Sequence, residues 1–200
     1  MRLYDYLPSG NGYKVRLLLA HLGIPFERIE VDILKGESRT PEFLAKNPNG
    51  RIPLLEWQPG IFLAESDAIL FFLADGTPFA PRDRLERARV LEWMFFEQYS
   101  HEPNIATVRF WITHLGLNEE RRAQLEPKRT LGYAALGVME RHLESRQFFV
   151  GDRYSIADIA LYAYTHVAHE GGFELGRFPA ILAWLGRVAR QPGHIPITRG

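Results

Sequence analysis

Three short stretches of this chain carry side chains whose types and spacing can do chemistry. Ser9-Gly10-Asn11-Gly12 follows Pro8, and Glu65-Ser66-Asp67-Ala68-Ile69-Leu70 sets a carboxylate and a hydroxyl at a turn into a helix. Ile52-Pro53 opens the hairpin that precedes that turn. The Ser9 hydroxyl and the Asn11 carboxamide are hydrogen-bond donors. A helix starting near residue 11 adds backbone amides without intrahelical partners and the positive end of its dipole. Donors aimed at one place favour the charged form of an acid held there. The chemistry on offer is therefore the holding of an anion, with no general base required. As structural residues, Ser9, Asn11 and Ser66 are also good helix N-caps. The Gly-rich run lacks the Lys-Ser/Thr ending of a phosphate loop, which argues against nucleotide binding.

The elements that must position these residues read as follows. Residues 2–6 form a short strand, and Pro8 to Gly12 is a dense turn signal. Val15, Leu17, Leu18, Leu19 and Leu22 give a helical apolar face, stopped by Gly23 and Pro25. Phe26 to Val31 alternates as a strand does, which completes a βαβ unit. A polar loop covers 32–41, and Pro41 to Lys46 predicts a short helix. Leu54–Trp57, a Gln58-Pro59-Gly60 turn and Ile61–Ala64 predict a hairpin. A helix over 66–74 follows. This order, βαβ-α-ββα, is thioredoxin-like, an α/β domain over residues 1–76.

A linker at about 77–82 separates it from an all-α helical bundle domain over 83–200. Arg84 to Leu115 predicts a long helix that Pro103 kinks or breaks. A second runs from Asn118 to about Ser145, perturbed near its start by Pro127. Helices over 154–169 and 178–190 complete the bundle. Ser155-Ile156-Ala157-Asp158 has the form of a capping box with Asp in the place of Glu, a structural signature.

Composition excludes several classes. The 200 residues are 46% hydrophobic, enough for a sizeable core, and Lys+Arg and Asp+Glu are both 24, giving no basic excess for nucleic acid or an anionic membrane. No run reaches the ~20 apolar residues of a membrane span. There is no Cys, hence no disulfide, thiolate metal site or protein thiol nucleophile. The start of the chain has no signal-peptide pattern, and the expected location is cytoplasmic.

Taken in order, Ser9, Asn47-Pro48-Asn49-Gly50-Arg51-Ile52-Pro53, Glu65-Ser66 and Gly151-Asp152-Arg153-Tyr154-Ser155-Ile156-Ala157-Asp158 resemble the cytosolic glutathione transferase superfamily over essentially the whole chain. Ser9-Gly10-Asn11-Gly12 is closest to bacterial members of the nu type. The resemblance implies a homodimer, an active site in the cleft between the domains, and glutathione as co-substrate with no metal. Ser9 and Asn11 would then stabilise the glutathione thiolate as the catalytic pair. Pro53 resembles the family's cis-proline, which presents the Ile52 backbone to the cysteinyl unit. Glu65 would meet the γ-glutamyl ammonium and Ser66 its carboxylate. Several classes place histidines at the glycyl end. Here Ser38 and Gly50 stand there, with Arg39, Arg51 or Lys35 as candidate cations. Tyr4 and Tyr6 are rivals to Ser9, since some members use a first-strand tyrosine.

For a substrate pocket the candidates are Tyr99, His101, Asn104 and Phe110, beside the polar interruption at Pro103. His101 reads equally as a core histidine. His166, His169 and Glu170 have helical spacing but no third ligand. The resemblance implies conjugation of glutathione to small electrophiles. Glutathione-dependent disulfide reduction of the nu type, with a peroxidase activity beside it, is an alternative, as is a non-catalytic binding or partner module.

Overall fold

A computed structural model describes residues 1–200. The chain divides into two compact units, residues 1–77 with 192–200, and residues 78–191.

The first unit runs β1 (Arg2–Asp5), α1 (Gly10–Leu22), β2 (Glu27–Glu30), α2 (Pro41–Leu44), β3 (Leu54–Gln58), β4 (Ile61–Ala64) and α3 (Ser66–Ala74). The sheet order is β2-β1-β3-β4, with β1 parallel to β2 and antiparallel to β3, and β3–β4 a hairpin. This is the expected thioredoxin-like arrangement. Strand alternation sends Tyr4 to one face and Leu3 and Asp5 to the other. Tyr4, Val31, Phe43 and Leu54 form a core cluster on the α2 side. On the opposite face the Asp5 carboxylate accepts from Arg16 Nε of α1 at 2.9 Å. α1 and α3 pack together and bury Leu17, Leu18, Ile69 and Leu70 completely. Gly23, at φ 63, ends α1 in the left-handed cap expected of it.

Two expectations are corrected in this unit. The first strand ends at Asp5, not Tyr6. The Tyr6 carbonyl accepts from the Ser9 amide at 2.8 Å, which commits Tyr6 to the turn. The helical domain does not extend to residue 200, because Pro192–Gly200 belongs to the first unit. Polar side chains of α1 hold that segment by its carbonyls. The Tyr13 hydroxyl donates to Ile195 at 2.7 Å, Arg16 donates to Ile197 at 2.9 Å and to Arg199, and the His21 ring lies 2.8 Å from the Pro192 carbonyl.

Asp5 and Arg16 are both fully buried. Burial pushes the Asp5 carboxyl up from 3.8 to about 6, against the opposing pull of Arg16. An acid raised on folding contributes most stability below its unfolded pKa, and loses that contribution as pH rises through its folded value. Urea unfolding of the wild type and of Asp5→Asn, followed across this window, is expected to show the difference moving against the wild type as pH rises from 3.8 through about 6. A pH-independent difference would contradict this.

The second unit is helical: α4 (Arg84–Phe96), α5 (Glu102–Phe110), α6 (Glu119–Leu143), α7 (Ile156–Thr165) and α8 (Pro179–Ala189). α4 passes into α5 through a π-helical turn at Glu97–His101, and a second such turn spans Trp111–Leu115. Pro103 sits at the start of α5 within a continuous helical run, so its missing N–H leaves one carbonyl of the preceding π-helical turn without an amide partner. The widened turn lies before the proline. Asn118 caps α6 by accepting from the Arg121 amide at 2.9 Å. Pro127 does not break this helix. The carbonyl it leaves without a partner is that of Ala123, an exposed residue where water can serve. α7 is shorter at both ends than the pattern suggested.

The capping box of α7 is present. Its Asp158 is fully buried and accepts from the Ser155 amide at 3.0 Å, the Ser155 hydroxyl at 3.1 Å, the Phe149 amide at 3.2 Å and Trp184 Nε1 at 2.9 Å. One carboxylate thus ties together the start of α7, the loop before it and α8. No helix of the chain is long and apolar enough to cross a membrane.

Candidate functional site

Ser9 is the N-cap of α1, and its Oγ accepts from the Gly12 amide at 3.3 Å. A hydroxyl oxygen that accepts still has its own hydrogen to donate. Capping and donation to a ligand are therefore compatible at Ser9. The helix begins at Gly10, so Asn11 is a first-turn residue and not a cap.

Ser66 opens α3, with Glu65 as the residue before it. The Ser66 hydroxyl donates to Asn11 Oδ1 at 3.4 Å. Behind it, Lys14 Nζ donates to Ser66 Oγ at 3.4 Å and lies 3.2 Å from Asp67 Oδ1. The N-terminal ends of α1 and α3 are thus joined by a side-chain chain running Lys14–Ser66–Asn11. Glu65 accepts from Asn49 Nδ2 at 3.3 Å and holds φ 68, a region that non-glycine residues seldom occupy. Such backbone costs about 1–3 kcal/mol and concentrates at ligand clamps. The Ile52-Pro53 peptide is cis.

The turn over 47–51 gathers the other candidates. Asn47 Nδ2 donates to the Arg51 carbonyl at 2.8 Å, and its Oδ1 accepts from the Asn49 amide at 3.1 Å. Arg39 Nη1 donates to the Asn49 carbonyl at 2.9 Å, Ser38 is buried, and Arg51 is exposed. Lys35 is paired with Asp32 at 3.1 Å.

The tyrosines are placed differently from Ser9. The Tyr4 hydroxyl donates to Glu56 Oε2 at 3.1 Å on the α2 side of the sheet. Burial together with Asp32 and Glu30 raises the Tyr6 phenol above its ordinary range, which works against an anionic role.

The four candidates in the helical unit separate by burial. Tyr99 is 85% exposed, and Phe110 is half-buried and stacked on His114 at 5.2 Å. His101 is fully buried, with Nε2 2.8 Å from Thr165 Oγ1. The Thr165 hydroxyl donates to the Leu161 carbonyl at 2.7 Å, so it accepts from His101. Asn104 is buried and donates to the Ser100 carbonyl at 2.7 Å. The expectation that His101 and Asn104 line a pocket is corrected on this ground, for both are buried and engaged, His101 with Thr165 of α7 and Asn104 with the Ser100 carbonyl one turn back. Glu170 is engaged by Arg109 at 2.6 Å, and His166 Nδ1 lies 2.8 Å from the Tyr162 carbonyl.

The sequence reading missed Lys14. A lysine among Tyr13, Val15, Leu17 and Leu18 on the buried face of α1 was the available signal. It also missed Asn49 as the partner of Glu65, and Asp5, which shares the inward face of β1 with Leu3.

Gly12 has a specific reason to be glycine. A Cβ there would stand 1.5 Å from Asp5 Oδ1. Gly12→Ala is expected to push the Asp5–Arg16 pair aside and cost about 1–3 kcal/mol. Denaturant unfolding checks this, and an unchanged midpoint would contradict it.

A cis-proline thioredoxin-like unit whose two helix starts converge on hydroxyl and amide donors, followed by an α-helical unit, defines the class of two-domain proteins built around a thioredoxin-like fold. The glutathione S-transferase N-terminal domain model matches residues 1–75, and the C-terminal domain model of that family matches residues 94–192. A glutathione S-transferase structure from Pseudomonas fluorescens is 54% identical, with a TM-score of 0.97 over 99% of this chain and 98% of that one. The chain belongs to the glutathione S-transferase family. A glutathione transferase from Burkholderia graminis, solved with two glutathione molecules per subunit, is 31% identical with a TM-score of 0.83 over 96% and 84% of the two chains. The transcriptional regulator URE2 of Saccharomyces cerevisiae is 28% identical over 99% of this chain and 67% of its own length. A structure of Ure2p in complex with glutathione has a TM-score of 0.87 at 26% identity, over 100% and 93% of the chains.

Proposed function

We propose that this protein is an enzyme that binds glutathione at the helix starts of its thioredoxin-like unit and transfers the glutathione sulfur to small electrophiles. The observation that carries this reading is the contact between Ser66 and Asn11, which brings the γ-glutamyl and thiol ends of the expected site together. In this reading the Ser9 hydroxyl and the Asn11 N–H donate to the sulfur, and the amides of α1 add their dipole. The thiol proton leaves to solvent. The thiolate then forms the S–C bond, and a leaving group such as chloride departs with its electron pair. The Ile52 backbone pairs with the cysteinyl unit. Glu65 takes the ammonium, the backbone amide of Ser66 and the other first-turn amides of α3 take the γ-glutamyl carboxylate, and Ser38, Arg39 and Arg51 surround the glycyl end. Tyr99 and Phe110 remain as electrophile contacts, and the protein acts as a homodimer.

A second reading is glutathione-dependent disulfide reduction. It is favoured by the two glutathione molecules in the Burkholderia graminis relative and by the lack of any Cys in this chain, which leaves bound glutathione to supply the sulfur. A steady-state assay with glutathione, comparing a chloronitrobenzene with a small disulfide, separates the two. Faster conjugation supports the transferase, and dominant disulfide reduction replaces it with the reductase. Glutathione bound without turnover of either would favour a binding module, the reading suggested by the regulator URE2.

A further inference from the structure

Lys14 is the one lysine in the fully buried part of the first unit, and nothing in the proposed chemistry uses it. Its ammonium points at Ser66 Oγ and Asp67 Oδ1, at 3.4 and 3.2 Å. An ammonium only donates, so Ser66 Oγ is the acceptor in that contact. The hydrogen of Ser66 is then available to Asn11 Oδ1, 3.4 Å away. A carboxamide whose oxygen is taken by Ser66 presents its N–H2 on the other side.

We propose that Lys14 is a positioning residue of the thiol site: by occupying the Ser66 oxygen it commits the Ser66 hydrogen to Asn11, and so turns the Asn11 N–H2 toward the glutathione sulfur. This rests on the reading of Asn11 as a thiolate donor. Asp67 serves Lys14 in turn. Its carboxylate, on a side chain that is 15% exposed, keeps the lysine from being an uncompensated charge. The arrangement explains why an ionic side chain stands on an apolar helix face directly below the first turn of α1.

The test is the pH profile of kcat/KM for conjugation of glutathione. The charge-neutral double variant Lys14→Met/Asp67→Asn is compared with the wild type, in the native and in the Asn11→Ala background. We expect the apparent thiol pKa to rise and kcat/KM below it to fall about three- to tenfold in the native background, less than the loss of the Asn11 donor itself because the carboxamide is misaligned and not removed. In the Asn11→Ala background the same pair of substitutions should do nothing further. Ser66→Ala leaves the Lys14–Asp67 pair in place and should raise the thiol pKa as well. It keeps the test decisive if the double variant fails to fold. If Asn11→Ala shifts the profile while neither the double variant nor Ser66→Ala does, Lys14 is a structural counter-ion and the proposal fails alone. An equal effect in both backgrounds would show that Lys14 acts on the sulfur without Asn11, and would also overturn it. If Asn11→Ala itself leaves the profile unchanged, the donor role of Asn11 falls, and the role of Lys14 with it.

Discussion

Asp158→Ala is expected to lose most of the stability of the helical unit. Four donors converge on this carboxylate, from Ser155 twice, Phe149 and Trp184. Removing the acceptor leaves all of them in a region with no exposure. Burial pushes the Asp158 carboxyl up to about 6, and the donors hold it against that trend. A buried donor left unsatisfied costs about 1–3 kcal/mol, and here four are left at once. Even a few such losses are a large share of the roughly 5–15 kcal/mol that holds a domain folded. Guanidinium unfolding followed by tryptophan fluorescence reports it directly, because Trp184 is one of the partners lost. Asp158→Asn keeps an acceptor oxygen but sets an N–H2 against donors, and should fall between the two. A wild-type midpoint for Asp158→Ala would mean that the box is ornamental.

The second large effect is expected at the thiol. Ser9→Ala and Asn11→Ala each remove one donor to a charged sulfur, worth about 1.5–3 kcal/mol. Each should therefore lower kcat/KM about 10- to 100-fold below the thiol pKa, and move that pKa toward the value of about 8.5 of a free thiol. Above that value the loss should shrink, since the thiolate then forms without help. This pH dependence separates lost activation from lost binding, which would lower kcat/KM equally at all pH values. Ser9→Ala also removes the cap of α1, at a cost of about 0.5–2 kcal/mol. Ser9→Thr, which keeps both the cap and the hydroxyl, should restore stability and activity together.

Much of this was legible in the residues. Strand alternation, the Pro-Gly turn and the punctuation by Gly23 and Pro25 are local signals, and they predicted the βαβ-α-ββα order. The cap at Ser155–Asp158 is a four-residue pattern and needs no tertiary information. What was not legible depends on contacts between segments distant in sequence. Pro192–Gly200 has no periodicity of its own, and its place is decided by Tyr13, Arg16 and His21 of α1. Lys14 and Asp67 lie 53 positions apart and meet only once α1 and α3 have packed. His101 and Asn104 read as cleft residues because they are polar beside Pro103. The π-helical turn over 97–101 carries His101 inward to Thr165, and an i→i+5 turn has no composition signature.

The most direct measurement is the ultraviolet absorbance of the thiolate of glutathione bound to the protein, titrated against pH and compared with the Ser9→Ala/Asn11→Ala double variant. The account predicts a bound thiol that ionises well below a free one in the wild type and close to it in the variant. Bound glutathione whose thiol titrates at the same pH in both proteins would contradict it.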